Sequence, residues 1–295
     1  MQDDVDEVDK KRQAKERKRE AEAREVAANE PLTENERVQV SEHRRLSSRT
    51  VYAIVLAEGE EELSRPNSSL LGSGVAAGIG ISASVLAEGT LRDKLGGHPY
   101  RELIENMGYT VGFIIVILSR LQLFTENTVS VVLPLLFRPS RRKFLDTARL
   151  WGIVLAANFV GTALTAAVTY WGGVVPPEIL HGMLSVSADA AHAQGMRALL
   201  LGVPAGFFIA AVVWMLPSSR GFEIFVIFLF TYLIALCHFA HVVAGSTEIF
   251  LLIFDGSLSV WTGVGVILLP TLVGNIIGGT GLFAVLAHAQ VSGEV

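Results

Sequence analysis

Two polar clusters interrupt long apolar stretches of the sequence, and one of them carries an imidazole. His241 lies in CHFAHVVAGSTE, residues 237–248, whereas LFTEN occupies residues 123–127. An ionisable side chain inside an apolar membrane segment is costly and therefore points to function. A histidine titrates near neutral pH, so it could lend a proton or a hydrogen bond to a small weak acid at an apolar constriction. His241 is the first candidate for chemistry; the structural alternative is a neutral ring bonded to a broken backbone.

The second cluster supplies Thr125, Glu126 and Asn127. Hydroxyl and amide side chains accept hydrogen bonds from the free N–H groups at the start of a helix, so Thr125 and Asn127 could cap a following half-helix. In the functional alternative, that half-helix directs the partial positive charge of its N-terminus at a pore. Both interpretations require a chain that is interrupted in the middle of its apolar segment.

The sequence offers no recognisable motif for a metal, a cofactor or an enzyme. Cys237 is the only cysteine, which excludes a disulfide framework within the chain and a cysteine-rich metal site. His238 and His241 lack a third ligand at suitable spacing, and Glu248 is interpreted as a helix-end or interface residue. P-loop, G-x-S-x-G and H-E-x-x-H patterns are missing, so neither an enzyme nor an ATP-driven pump is predicted. The net charge of −5 belongs to the tail and loops and indicates no nucleic-acid partner.

Composition places these clusters in membrane helices. The chain is 51% hydrophobic and 18% charged, and more than half of its Lys and Arg residues precede residue 66. Two of the apolar blocks, the second and the fifth, are too long for one straight span of roughly 20–25 residues, and both contain a polar cluster, so each is predicted to be a broken helix. The six blocks are residues 67–87, 106–137, 148–171, 198–217, 222–254 and 262–289.

An internal repeat organises the six blocks. GVAAGIGISASV (74–85) aligns with GVPAGFFIAAVV (202–213), and NFVGTAL (158–164) aligns with NIIGGTG (275–281). LFTE and HFAH share a phenylalanine before the polar break. The fold class predicted is therefore an all-α membrane protein with six transmembrane helices in two inverted three-helix repeats, with helices 2 and 5 broken. The small-residue faces of spans one and four could support association between copies.

Charge distribution predicts the boundaries and the orientation. Residues 1–48 are predicted to form a charged cytoplasmic tail without stable structure, 49–66 a possible interfacial helix, and 67–290 the six-helix domain. RPSRRKFLDTAR, residues 138–149, is the most basic connection. The positive-inside rule places this loop and both termini in the cytoplasm.

The motifs in combination resemble the formate/nitrite transporter family. The resemblance rests on LFT after a glycine-rich second helix, F-x-H in the fifth block, and Asn-x-x-Gly in spans three and six; LFTENT and HVVAGSTEI are most similar to its YfdC-like branch. It covers about residues 67–290. The resemblance implies an aquaporin-like protomer in a homopentamer of the bacterial inner membrane, with one pore per subunit. It also implies small monovalent anions, such as formate, nitrite or hydrosulfide, or their acids as substrates.

The resemblance also assigns roles to individual residues. It makes His241 the central histidine of the family, with Thr125 hydrogen-bonded across to it. The apolar constrictions that it implies are Leu123, Phe113 and Ile234, and the asparagines that hold the broken backbones are Asn158 and Asn275. Glu126 and Asn127 are also expected along the substrate pathway. Gly245 is expected to support the helix break together with the two asparagines.

Two positions depart from the family pattern. Glu126 replaces a small residue, and Gly245 stands where an asparagine commonly follows the central histidine by four. A carboxylate at Glu126 would repel an anion unless it is protonated, paired with Arg120 or turned away. Two other function classes therefore stay open: an aquaporin-type pore for neutral solutes, and a membrane scaffold that transports nothing.

Overall fold

The computed structural model describes residues 45–293, so most of the predicted tail, residues 1–44, lies outside the described residues. Within residues 45–293 the chain forms ten helices and no strand. The helices are α1 (Ser48–Ser64), α2 (Asn67–Leu95), α3 (Arg101–Leu118), α4 (Asn127–Phe137), α5 (Arg141–Trp171), α6 (Pro177–Ala190), α7 (Met196–Ser218), α8 (Glu223–Leu236), α9 (Val242–Asp255) and α10 (Trp261–Val291).

The ten helices confirm the prediction of six spans, two of them broken. Among the described residues, four helices are long and apolar enough to cross a bilayer on their own: α2, α5, α7 and α10. Span two consists of α3 and α4, and span five consists of α8 and α9; a non-helical segment separates the two helices in each case. Helix α6 connects the two halves of the chain, and α10 contains two wider π-helical segments, Trp261–Leu268 and Ile277–Ala284.

Each half is built on a close pair of long helices. In the first half α2 packs along α5, and in the second half α7 packs along α10. Glycine makes this approach possible: a Cβ on Gly78 would lie 2.2 Å from the Asn158 carbonyl oxygen, and one on Gly206 would lie 2.2 Å from the Asn275 carbonyl oxygen. The small-residue faces of spans one and four therefore pack inside the protomer. The expectation that they serve association between copies was wrong, because their neighbours are helices of the same chain.

The close packing of α2 on α5 predicts a matched pair of variants. Gly78→Ala should lower the stability by about 1–3 kcal/mol, since overpacking forces backbones apart. Gly72→Ala on the same helix should have no such effect, because a Cβ there meets no atom within 4 Å. Thermal unfolding of the two purified variants in detergent, followed by tryptophan fluorescence, measures the difference. Equal midpoints for both variants would contradict this packing.

The half-helices α4 and α9 lock the two halves together. Helix α4 belongs to the first half but packs against α10, where the Thr280 hydroxyl donates to the Thr128 carbonyl over 2.6 Å. Helix α9 belongs to the second half but packs against α5, where the Ser246 hydroxyl donates to Thr162 Oγ1 over 2.8 Å. Each break therefore sits at the interface between the halves.

Helix α1 lies against α4 and the end of α10. Its residues Val51, Tyr52 and Val55 are buried, and the Tyr52 hydroxyl is 2.7 Å from His288 Nδ1. Gly59 lies so close to α4 that a Cβ would overlap the Ser130 carbonyl. The apolar face predicted to meet a membrane surface is thus covered by protein.

Candidate functional site

The first break follows α3 and is held by Asn158. Arg120 adopts a left-handed backbone conformation with φ of 52°, which turns the chain out of the helix. The fully buried Asn158 amide then satisfies three backbone groups: its Oδ1 accepts from Phe124 N over 2.9 Å, and its Nδ2 donates to the carbonyls of Gly74 and Gln122, each over 2.8 Å. Freed backbone groups inside a membrane must find such partners.

The second break has the same construction, with Asn275 in place of Asn158. His238 has φ of 52°, and the chain leaves α8 there. Asn275 Oδ1 accepts from Val242 N over 2.9 Å, and its Nδ2 donates to the carbonyls of Gly202 over 2.9 Å and Ala240 over 2.8 Å. Each asparagine thus satisfies three backbone groups at or beside one break.

The asparagine contacts fix how the two breaks correspond. Phe124 N and Val242 N each donate to the Oδ1 atom of the supporting asparagine, so Phe124 corresponds to Val242 in the repeat. The residues that precede them, Leu123 and His241, therefore correspond as well. The alignment of LFTE with HFAH, which paired Phe124 with Phe239, is therefore shifted by three residues. The shared phenylalanine was a coincidence of composition, whereas the repeat itself is real.

His241 begins α9 and lies between the two half-helices. Its Nδ1 accepts a hydrogen bond from Ala244 N over 3.1 Å, so the ring caps the helix. An acceptor nitrogen carries no proton, which places the ring proton on Nε2. Nε2 lies 2.7 Å from Thr125 Oγ1 and donates to it. The hydroxyl hydrogen of Thr125 is thereby free to be donated to another acceptor.

Apolar side chains enclose this pair. The Phe113 ring meets the His241 ring edge-on at 4.9 Å between centroids. Phe113 and Ile234 are completely buried, and Leu123 is 1% exposed. The three predicted constriction residues are buried in one apolar cluster, and Phe113 contacts the histidine directly. A polar cavity reaches His241 from one side, and another reaches Leu123 from the other side.

The cavity on one side, called here the α1-side vestibule, has a volume of about 370 Å³. Leu123 lies at its base, and its walls include Glu126 and Asn127. It is acidic, with four carboxylates and two guanidinium groups among its lining residues. These charged residues are Glu58, Glu62, Arg120, Glu126, Arg220 and Glu223.

Glu126 does not form the predicted ion pair with Arg120. Arg120 lies 3.4 Å from Glu58 instead, and the buried Oε1 of Glu126 has no hydrogen-bond partner among the described residues. Nor do Thr125 and Asn127 cap α4, which begins without a side-chain cap. Asn127 donates to Gln122 Oε1 over 3.1 Å and accepts from the hydroxyl of Ser130 over 3.2 Å. The capping prediction was wrong, because Thr125 bonds to His241 and Asn127 bonds to side chains.

The cavity on the other side, called here the α6-side vestibule, has a volume of about 450 Å³ and reaches His241. Glu248 lies on its wall and is 7% exposed, in the middle of α9, so its interpretation as a helix-end or interface residue was wrong. Gly245 lies one turn into α9 and not at the break. A Cβ there would meet only Glu248 Oε2, at 3.7 Å, so Gly245 leaves space in the vestibule and does not support the break. His238 lies at the rim, 3.0 Å from Glu102.

Two inverted three-span halves, broken helices that meet in an apolar core, and a polar vestibule on each side define a membrane channel or transporter. The sequence matches the formate/nitrite transporter family over residues 49–289. The chain belongs to this family.

Individual relatives agree with that assignment. The chain is 40% identical to the inner membrane protein YfdC of Escherichia coli (strain K12), over 85% of this chain and 82% of that protein. It is 25% identical to the formate channel BtFdhC of Bacillus thuringiensis, over 80% and 93% of the two chains. Among solved structures, a pentameric formate channel with formate bound superposes with a TM-score of 0.65 at 18% identity, covering 77% of this chain and 97% of that one. This last similarity shows the fold.

A group of polar residues in the α6-side vestibule was not predicted from the sequence. Glu88, Glu105 and Arg92 were treated as parts of a loop, since block one was ended at residue 87. Helix α2 instead continues to Leu95 and carries Glu88 into the vestibule, where it is 5% exposed. The signal available was spacing: Glu88 lies on the helical face of Ser84 and Ile81, both of which are buried.

Proposed function

We propose that this protein conducts small monovalent anions or their conjugate acids, of the formate, nitrite and hydrosulfide class, across the bacterial inner membrane. The observation that carries the proposal is the His241–Thr125 pair at the apolar barrier between two vestibules. Relatives named as formate channels support the substrate class. The family's solved pentameric channel supports a homopentamer with a pore in each protomer.

The barrier geometry suggests what can cross. Phe113, Leu123 and Ile234 offer no charge or hydrogen bond, and a bare anion in such surroundings would lose several kcal/mol of solvation. The Thr125 oxygen accepts a hydrogen bond from Nε2–H of the neutral His241 ring. The Thr125 hydroxyl hydrogen is therefore free to be donated to a substrate. A small acid can therefore be hydrogen-bonded at the barrier in its neutral form, after its anion has gained a proton in a vestibule.

The orientation follows from the basic loop. Residues 138–149 are the most basic connection, and α1 contacts the start of α5 beside it through an ion pair of Glu60 with Lys143. We place this face, with the α1-side vestibule and both termini, in the cytoplasm. The α6-side vestibule then opens to the periplasm.

One observation favours a second function, a pore for neutral small solutes. The carboxylate of Glu126 at the α1-side vestibule and that of Glu248 at the other are unfavourable for a free anion. A pore for water or another neutral solute would face no such repulsion. The two functions differ in what crosses at neutral pH.

Uptake by proteoliposomes tests the proposed function. Vesicles with the purified full-length chain should accumulate formate, nitrite or hydrosulfide faster than empty vesicles, and faster at pH 5.5 than at pH 7.5. Light scattering after an osmotic shock measures water flux in the same vesicles. Water flux without flux of any of these acids would favour the neutral-solute pore, and no flux at all from intact oligomers would favour the scaffold.

A further inference from the structure

Four buried polar side chains in the α6-side vestibule are left out of the barrier chemistry. They are Glu88, Asn106, Tyr109 and Glu248, and each is between 5% and 8% exposed. Glu88 Oε2 and Asn106 Nδ2 are fully buried and have no hydrogen-bond partner within the described part of the chain. A buried polar atom without a partner is rare and costly. Both residues line the cavity, so an unpaired donor and an unpaired acceptor lie in its wall.

Within the described residues, the cations beside Glu88 and Glu248 form their ion pairs with other acids. The Arg92 guanidinium is occupied by other acids: its Nε lies 3.1 Å from both oxygens of Glu105, and its Nη1 lies 2.7 Å from Asp189 Oδ2. Arg101 also lies against Glu105, at 3.5 Å. The two carboxyl groups that remain, Glu88 and Glu248, are both buried and line the same cavity.

The other titratable groups of the vestibule lie nearer its mouth or its base. Towards the mouth, Glu102 pairs with His238, and His192 and Arg197 line the wall. At the base is His241, whose ring nitrogens are both hydrogen-bonded. Two carboxylates in one buried site cannot both be ionised without strong repulsion, so such a pair retains one proton.

The pair is connected with the barrier through open space. Glu248 follows His241 by seven residues on α9, which is two helical turns and the same face. Gly245 lies between them and carries no side chain to fill the vestibule there. A small molecule that reaches Glu248 can therefore continue to His241 within one cavity.

We propose that Glu88 and Glu248 form a proton-donor site that converts an incoming anion to its neutral acid before the barrier. The proposal rests on the proposed function and names the two residues that supply the proton. Asn106 Nδ2–H binds an oxygen of the anion. The O–H bond of the protonated carboxyl breaks, its proton forms a new O–H bond on the substrate, and the neutral acid moves towards Thr125. A proton from the vestibule water then restores the carboxyl group, so charge and atoms balance.

Formate uptake by proteoliposomes at two pH values tests the proposal. The membrane potential is clamped. At pH 7.5 the variants Glu88→Gln and Glu248→Gln should take up formate at least about tenfold more slowly than wild type, a conservative figure because a positioned proton donor usually contributes about 100-fold or more. At about pH 4.5, where more formate is already protonated in solution, the deficit should shrink. Glu248→Asp, which retains a carboxyl group, should restore part of the uptake at pH 7.5.

Each other outcome has a definite meaning. Asp93→Asn is the matched control, because Asp93 lies on the same helix but pairs with the exposed Lys94 and lines neither vestibule. Unchanged or faster uptake by the glutamine variants would overturn the proposal, and so would an equal deficit at both pH values, which indicates a structural role. If wild type takes up no formate, nitrite or hydrosulfide, the proposed function itself fails.

Discussion

Replacing His241 with alanine is expected to reduce formate uptake by at least about 100-fold, the lower range for loss of a group that positions or transfers a proton. The ring Nε2–H donates to Thr125 Oγ1 and thereby directs the threonine hydroxyl at the substrate. Alanine removes that donor and opens space beside Phe113. The initial rate of formate uptake by proteoliposomes measures the effect.

His241→Ala alone would confuse two roles of the ring, because Nδ1 also caps α9 by accepting from Ala244 N. His241→Asn separates them. Asparagine is a good N-cap residue, so it should retain most of the roughly 1 kcal/mol that a cap contributes. Its shorter side chain cannot cap α9 and also reach Thr125 Oγ1, so uptake should still be lost. Thermal midpoints near wild type together with lost uptake would establish the chemical role.

The opposite pattern would refute that role. Uptake by His241→Asn at the rate of wild type would mean that the ring serves only to cap the helix. Thr125→Val offers an independent check, since valine retains the shape of threonine without its hydroxyl. This variant should be as impaired as His241→Ala, because the two side chains form one hydrogen-bonded pair.

Replacing Asn275 with alanine is expected to destabilise the protomer by several kcal/mol, since three buried backbone groups would lose partners at about 1–3 kcal/mol each. Those groups are Val242 N and the carbonyls of Gly202 and Ala240. The break beside His241 would then have no support. The yield of monodisperse protein on size-exclusion chromatography and the thermal midpoint both report the loss.

Two further variants make this prediction specific. Asn275→Asp retains the acceptor for Val242 N but cannot donate to two carbonyls, so it should be nearly as unstable as alanine. Asn67→Ala also removes an asparagine, an exposed one whose Oδ1 accepts from Arg149 Nη1 over 3.1 Å, and it should behave as wild type. A stable Asn275→Ala protein with full uptake would show that the break needs no amide support.

The broken spans could be predicted from the sequence because length and polarity disagree there. A segment of 32 or 33 apolar residues with a polar centre cannot be one straight helix, so the interruptions at LFTEN and CHFAH were foreseeable from the bilayer thickness alone. The recurrence of Asn-x-x-Gly at Asn158 and Asn275 likewise indicated two equivalent supports. These signals are local, and each refers to one element.

The register of the repeat and the chemistry of the vestibules could not be predicted in the same way. The register depends on which backbone N–H meets Asn158 or Asn275, a contact between residues more than 30 positions apart. Glu88 was missed because a charge near the end of an apolar block is usually taken as its boundary. Whether such a residue faces a cavity depends on helices α3, α6 and α9, which are distant in sequence.

The correspondence of Leu123 with His241 has a consequence for direction. The scaffold is the same when viewed from either mouth, but a solute arriving from one side first encounters hydrocarbon, and one from the other side first encounters imidazole. The free-energy profile that a solute follows therefore differs between the two directions, although both directions cross the same barrier. At equal concentrations such a conduit can produce no net flow, so any preference for import or export has to come from the gradients of solute and acidity that the cell maintains.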